Sequence, residues 1–193
     1  MRVRIRRGIA FGALTALLTA CIPKLGSTNK QLATGERPMV VAVEDLATYR
    51  PGLNPHWELL RITRGTTEDG STTLVYDYNY QQKSPLDIWT STTIFSMGTE
   101  KQAKDAYLAL MATSADAAAE LGAHTGSRDL LVWGDESACG ALLKGERPVG
   151  DLCGFRKGKR VLVFFATGDS WSASGELDDI LRPKLAALES WTP

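Results

Sequence analysis

In the stretch Ser71-Thr-Thr-Leu-Val-Tyr-Asp-Tyr-Asn-Tyr80, large apolar residues alternate with smaller, mostly polar ones. Successive side chains of a β-strand point to opposite faces, so this pattern predicts a strand. One face would carry four large apolar side chains: Leu74, Tyr76, Tyr78 and Tyr80. The other face would carry smaller, mostly polar ones: Thr73, Val75, Asp77 and Asn79. A strand of this kind belongs to a sheet that buries its aromatic face.

The segments on either side of this strand supply its partners. Residues 57–63 alternate in the same way, and residues 66–70 end in Asp69-Gly70, a pair typical of tight hairpin turns. Residues 86–97 form a third apolar run that includes Trp89 and Phe95. Short connections between consecutive strands favour antiparallel pairing.

Two helices are predicted. Thr99-Glu-Lys-Gln102 has the form of a capping box, and the apolar residues that follow recur at spacings of three and four until Gly122. Residues 174–191 show the same periodicity, with Pro183 inside it. Because proline cannot donate within a helix, we expect a kink there or a second helix that begins near Pro183.

Later segments complete the sheet. Residues 159–167 are apolar on both faces, which predicts a central strand, and residues 130–133 form a shorter apolar run that predicts another strand. Near the start of the domain, residues 39–43 are either a short strand or the lead-in to a helix over 44–49. The order of strands, helix, strands and helix predicts a single α+β domain over residues 38–193, with a largely antiparallel sheet and two main helices packed on it.

Two cysteines, Cys139 and Cys153, flank a turn marked by Gly145, Pro148 and Gly150. An even pair that faces across a hairpin predicts a disulfide in an exported protein. A metal pair is the alternative, but the spacing is not CxxC, and His56 and His124 are far away in sequence. We expect neither a metal nor a cofactor, since Walker, GxGxxG and HExxH motifs are absent from the sequence.

The first twenty residues have the layout of a secretory signal peptide. Four arginines fall within the first seven residues, and the uncharged run from Gly8 to Ala20 is shorter than the ~20 apolar residues that a membrane span needs. The run ends Leu18-Thr-Ala-Cys21, which resembles the lipobox of bacterial lipoproteins. That resemblance implies cleavage before Cys21 and lipid on its thiol. Ile22 follows, where some lipoproteins carry the Asp that retains them at the inner membrane, and this favours an outer membrane if the host has one.

Residues 21–37 are polar and contain no aromatic side chain, so they are expected to form the lipidated cysteine and a flexible tether. Without residues 1–20 the chain has 18 basic and 22 acidic residues, a formal net charge of −4. This charge argues against nucleic acid as a partner, because such binding requires a basic face. The expected partners are the membrane, through the lipid, and an unknown envelope protein or small ligand.

Two features could carry function. The Tyr76, Tyr78 and Tyr80 row with Trp89 is the best candidate for a binding surface, although burial beneath a helix explains the row more simply. Gly168-Asp169-Ser170 resembles the nucleophile block of GDSL-type hydrolases. No histidine follows Ser170, so a strand-to-helix loop is the favoured interpretation.

The sequence therefore predicts a lipid-anchored protein of the bacterial envelope, outside the cytoplasm, whose domain binds a ligand or partner without catalysis. An envelope hydrolase and a structural subunit of a membrane complex are the alternatives.

Overall fold

The computed structural model describes residues 27–29, 31–51, 53, 59–81, 87–126, 131–172 and 175–191. These residues form one eight-stranded antiparallel sheet with three helices packed on it, which confirms the α+β class. The strands are β1 (Ser27–Asn29), β2 (Leu59–Thr66), β3 (Thr72–Gln81), β4 (Asp87–Ser96), β5 (His124–Thr125), β6 (Glu136–Lys144), β7 (Arg147–Lys157) and β8 (Arg160–Thr167). The helices are α1 (Val43–Ala47), α2 (Glu100–Glu120) and α3 (Leu177–Ser190).

The sheet consists of two meanders that meet along β4 and β8. Its order is β1-β2-β3-β4-β8-β7-β6-β5, so each meander runs from an outer edge to the centre. Strand β8 lies between β4 and β7, and all six of its residues from Val161 to Ala166 are buried. The prediction of a central strand is confirmed, and protein covers both of its faces, which suits its continuous apolar character.

The helices divide between the two faces of the sheet. Helices α1 and α3 cover the face that carries Leu74, Tyr76 and Tyr78 of β3, and we call this the first face. Helix α2 packs on the opposite, second face, mainly against β7 and β8. On the first face, Lys184 of α3 pairs with Asp45 of α1 at 2.9 Å, which ties the two helices together.

The ends of α2 are those that its sequence predicts. Thr99 Oγ1 accepts a hydrogen bond from the Gln102 backbone N at 3.1 Å, and Gln102 Oε1 accepts one from the Thr99 backbone N at 2.9 Å. Gly122 follows with φ of 74°, a left-handed conformation that costs glycine little. Helix α3 contains Pro183 within a single helical segment, so a separate helix does not begin there.

Two sequence predictions are wrong in detail. Residues 131–133 belong to no strand: Leu131 packs in the core while Val132 is 75% exposed, so the run provides apolar contact without joining the sheet. The flexible tether is wrong for residues 27–29 and 31–37. Strand β1 pairs with β2, and Glu36 forms an ion pair with Arg64. Burial opposes ionisation of Glu36, but hydrogen bonds from Arg64 and the Ala33 backbone N outweigh it and lower its pKa. Residues 21–26 lie outside the described residues.

Candidate functional site

The second face of the sheet is divided between a covered half and a polar half. Helix α2 lies over β7 and β8, and its edge reaches β4, where Leu110 and Thr113 approach Trp89 and Ser91. Towards β2 and β3 the same face carries small or polar side chains. Together with two neighbouring residues of β4, Trp89 and Ser91, they form a surface that we call the polar half-face. Its members are Arg61, Thr63, Val75, Asp77, Asn79, Trp89 and Ser91.

An ion pair lies at the centre of the polar half-face. Arg61 donates from Nε and Nη2 to Asp77 Oδ2, at 3.0 and 2.6 Å, and Ser91 Oγ donates to Asp77 Oδ1 at 2.8 Å. The Asp77 side chain is 8% exposed and that of Arg61 is 45% exposed. The buried carboxylate therefore holds the guanidinium in a fixed position at the surface, where charge-assisted hydrogen bonds favour a single orientation.

Two further side chains leave hydrogen-bonding capacity on this face. Asn79 Oδ1 and Thr73 Oγ1 are buried atoms that make no hydrogen bond to the described residues. Buried polar atoms are nearly always satisfied in folded proteins, so these two oxygens are exceptions to that rule within the described residues. Trp89 lies beside Asn79 and packs against Phe165 in a T-shaped arrangement, with ring centroids 5.2 Å apart. Aromatic and polar groups thus adjoin on this face.

The cavity beneath α2, which Trp89, Ser91 and Thr93 line in part, measures about 20 Å³. That volume holds roughly one water molecule. Sites for small molecules usually measure about 300–1,000 Å³. Among the described residues, the polar half-face therefore offers a surface rather than an enclosed pocket for a ligand or a partner.

The aromatic row predicted as a binding surface is divided by the sheet. Tyr76 and Tyr78 are buried in the core of the first face, and Tyr76 Oη accepts a hydrogen bond from the Val43 backbone N at 3.3 Å. Burial raises the pKa of Tyr76 to about 12. Trp89 lies on the second face, because it pairs with Asn79 and so shares the side of the odd-numbered residues. The side chain of Tyr80 lies outside the described residues.

The prediction that all four aromatic residues form one surface is therefore wrong. Tyr76 and Tyr78 are core residues instead. The grouping of Asp77, Asn79 and Ser91 on one face was not predicted from the sequence. The sequence feature that could have indicated it is the polar residues that alternate with the apolar ones along β3 and β4.

The loop that contains Gly168-Asp169-Ser170 is fixed to strand β7 by hydrogen bonds. Asp151 of β7 is fully buried and accepts hydrogen bonds from Ser170 Oγ at 2.9 Å, from the Trp171 backbone N at 2.7 Å and from the Ser172 backbone N at 3.3 Å. The Ser172 hydroxyl also donates to it. Burial raises the pKa of Asp151, and these hydrogen bonds oppose that shift.

Arg50, from the segment that follows α1, also contacts this loop. Arg50 donates to Asp169 at 2.6 Å and to Glu176 at 2.7 Å, and its guanidinium lies 5.6 Å from the centre of the Trp171 ring. His124 lies on β5, two strands from Asp151 and thus about 10 Å from β7. His56 lies outside the described residues. Among the described residues, no histidine therefore lies within hydrogen-bond reach of Ser170, and Ser170 is itself buried beside Asp151.

The Cys139–Cys153 disulfide is present and joins directly opposed residues of β6 and β7. Cys21 lies outside the described residues. Within the described ranges, no group of three or more His, Cys, Asp or Glu side chains could hold a metal ion. None of the helices found there is long and apolar enough to cross a bilayer. No protein-family model matches the chain, and no curated protein or solved structure shows significant similarity to it.

Proposed function

We propose that this chain is a lipid-anchored lipoprotein of the bacterial cell envelope, held outside the cytoplasm through Cys21. The observation that carries the proposal is the Leu18-Thr-Ala-Cys21 segment at the end of a basic and then apolar leader. The disulfide between Cys139 and Cys153 supports it, because such bonds persist in oxidising compartments and are rare in the cytosol. Ile22 after the cysteine favours the outer membrane if the host has one.

We further propose that the domain binds a ligand or partner without catalysis, through the polar half-face. This surface combines an oriented guanidinium, a buried carboxylate, an indole ring and an Asn79 amide oxygen for which the described residues supply no hydrogen-bond donor. The hydrolase alternative gains no support, because Ser170 donates to a buried carboxylate and His124 lies on another strand.

The anchor is tested with the full-length chain expressed in a bacterium. We expect Cys21→Ser to abolish labelling by a fatty-acid analogue and to move the protein from the detergent-soluble membrane fraction to the aqueous phase. The matched control is Cys139→Ser/Cys153→Ser, which removes two cysteines from the domain and should keep the label. Equal labelling of the wild type and Cys21→Ser would overturn the proposal.

The binding surface is tested by a photoactivated crosslinking residue placed at Thr63 in intact cells. We expect a covalent adduct of defined mass from position 63 and none from Ala186, which is exposed on α3. Adding Val75→Lys should suppress the adduct by at least fivefold, because a long cation would then occupy the polar half-face. The assignment fails if positions 63 and 186 give the same adducts, or if Val75→Lys has no effect.

A further inference from the structure

The chain between the proposed lipid and the fold is short. Strand β1 begins at Ser27, six residues after Cys21. Six fully extended residues reach about 20 Å, since each spans at most ~3.3–3.6 Å. If Cys21 carries lipid, as proposed above, Ser27 must lie within about that distance of the bilayer.

Strand β1 places this restraint at one corner of the sheet. It is the outermost strand, and Ser27 pairs with Arg64 near the end of β2 that leads to turn 67–70. Six interstrand spacings separate β1 from β6, which amounts to about 29 Å. The turn at residues 145–146, which joins β6 to β7, is therefore far from the point of attachment.

The exposed arginines at this edge support the same orientation. Arg61 is 45% exposed while its partner Asp77 is 8% exposed, and Arg64 is 26% exposed while Glu36 is 15% exposed. In both pairs the cation lies outside the carboxylate. The Nε and Nη2 groups of both arginines already bind these carboxylates, so a head-group phosphate would contact each guanidinium through its remaining donors. The rest of the mature chain is net acidic and offers no general attraction to a lipid surface.

We propose that the β1–β2 edge of the domain faces the bilayer, with Arg61 on one face of the sheet and Arg64 on the other, both beside the lipid head groups. The inference rests on the proposed anchor at Cys21. In this orientation β5 and β6 form the membrane-distal edge. The polar half-face then lies roughly perpendicular to the membrane plane, next to the head groups. A partner would then reach this surface from along the membrane.

The orientation is tested with the mature chain, from Cys21 onward, produced without lipid. The disulfide leaves Cys21 as the single free thiol, which is coupled to a maleimide lipid in phosphatidylcholine nanodiscs that contain a gadolinium-chelating lipid. Paramagnetic broadening of backbone amides then reports distance from the head groups. We expect amides of residues 64 and 67–70 to be broadened at least threefold more than those of residues 124 and 145–146.

Two outcomes would overturn the orientation: equal broadening at the two edges, or stronger broadening at residues 145–146. The matched control inserts twenty Gly and Ser residues after Gly26 and should reduce the contrast at least twofold. An unchanged contrast would contradict the role of the short connection. Because the lipid is attached chemically, this test does not depend on lipidation in the cell, so its failure is distinct from failure of the proposed anchor.

Discussion

Replacing Asp151 with alanine is expected to lower the free energy of unfolding by about 3–5 kcal/mol, since a buried hydrogen-bonded network would lose its common acceptor. Ser170, Trp171 and Ser172 all donate to this carboxylate, and all three residues are buried. In the variant these buried donors would lose their common acceptor while still shielded from water. The loop that joins β8 to α3 would therefore lose its side-chain attachment to β7, and the backbone hydrogen bond from Gly168 N to Val149 O would remain.

Urea unfolding followed by circular dichroism measures this effect. The matched control is Asp116→Ala, which removes an exposed carboxylate from α2 and should change stability by less than about 0.5 kcal/mol. We expect Asp151→Asn to fall between the two, because the amide keeps one acceptor but sets its own donor against the loop. A loss below about 1 kcal/mol for Asp151→Ala would show that the network does not hold the loop.

Removing the disulfide is expected to have the second largest effect. The Cys139→Ala/Cys153→Ala variant should lose about 3 kcal/mol, the value that the chain-entropy model assigns to a closed loop of about 15 residues. The backbone pairing of β6 with β7 extends well beyond the two cysteines, from Glu136 to Lys144 on β6, so the variant should still fold.

Reduction supplies the control within the same protein. A reducing agent should lower the stability of the wild type to that of the double variant and leave the variant unchanged. The mature Cys21→Ser chain, unfolded without reduction, should show no free thiol, and it should show two after reduction. Two free thiols before reduction, or equal stability of the wild type and the double variant, would contradict a stabilising disulfide.

Much of the fold follows from local patterns. The alternation over residues 71–80 predicts β3, and the capping box at Thr99 with Gly122 predicts both ends of α2. Each rests on interactions between residues close in sequence. The tether prediction failed because composition does not report that Glu36 meets Arg64, an ion pair across 28 positions. The apolar run at residues 131–133 misled for a similar reason, since apolar character does not specify a hydrogen-bonding partner strand.

The candidate site shows the same division. Period-two alternation separates Tyr76 and Tyr78 from Asp77 and Asn79, but it does not say which side helices will cover. The alternation favours burial of the tyrosines, and Trp89 was predicted to share their surface. The register of β3 with β4 places Trp89 opposite Asn79 instead, on the other face. A shift of one residue would have reversed this, because each step moves a side chain to the opposite face.

By itself the sequence determined most of the strands, the caps of α2, the α+β class and the cysteine pair that forms the disulfide. These depend on composition and on periodicities that a few neighbouring residues express. Only the tertiary structure decided the order of the eight strands, the assignment of α2 to the second face, the burial of Asp151 beneath the 168–172 loop and the grouping of Arg61, Asp77 and Ser91. Those arrangements arise from contacts between distant segments, whose free energies depend on burial and on partners that no local pattern specifies.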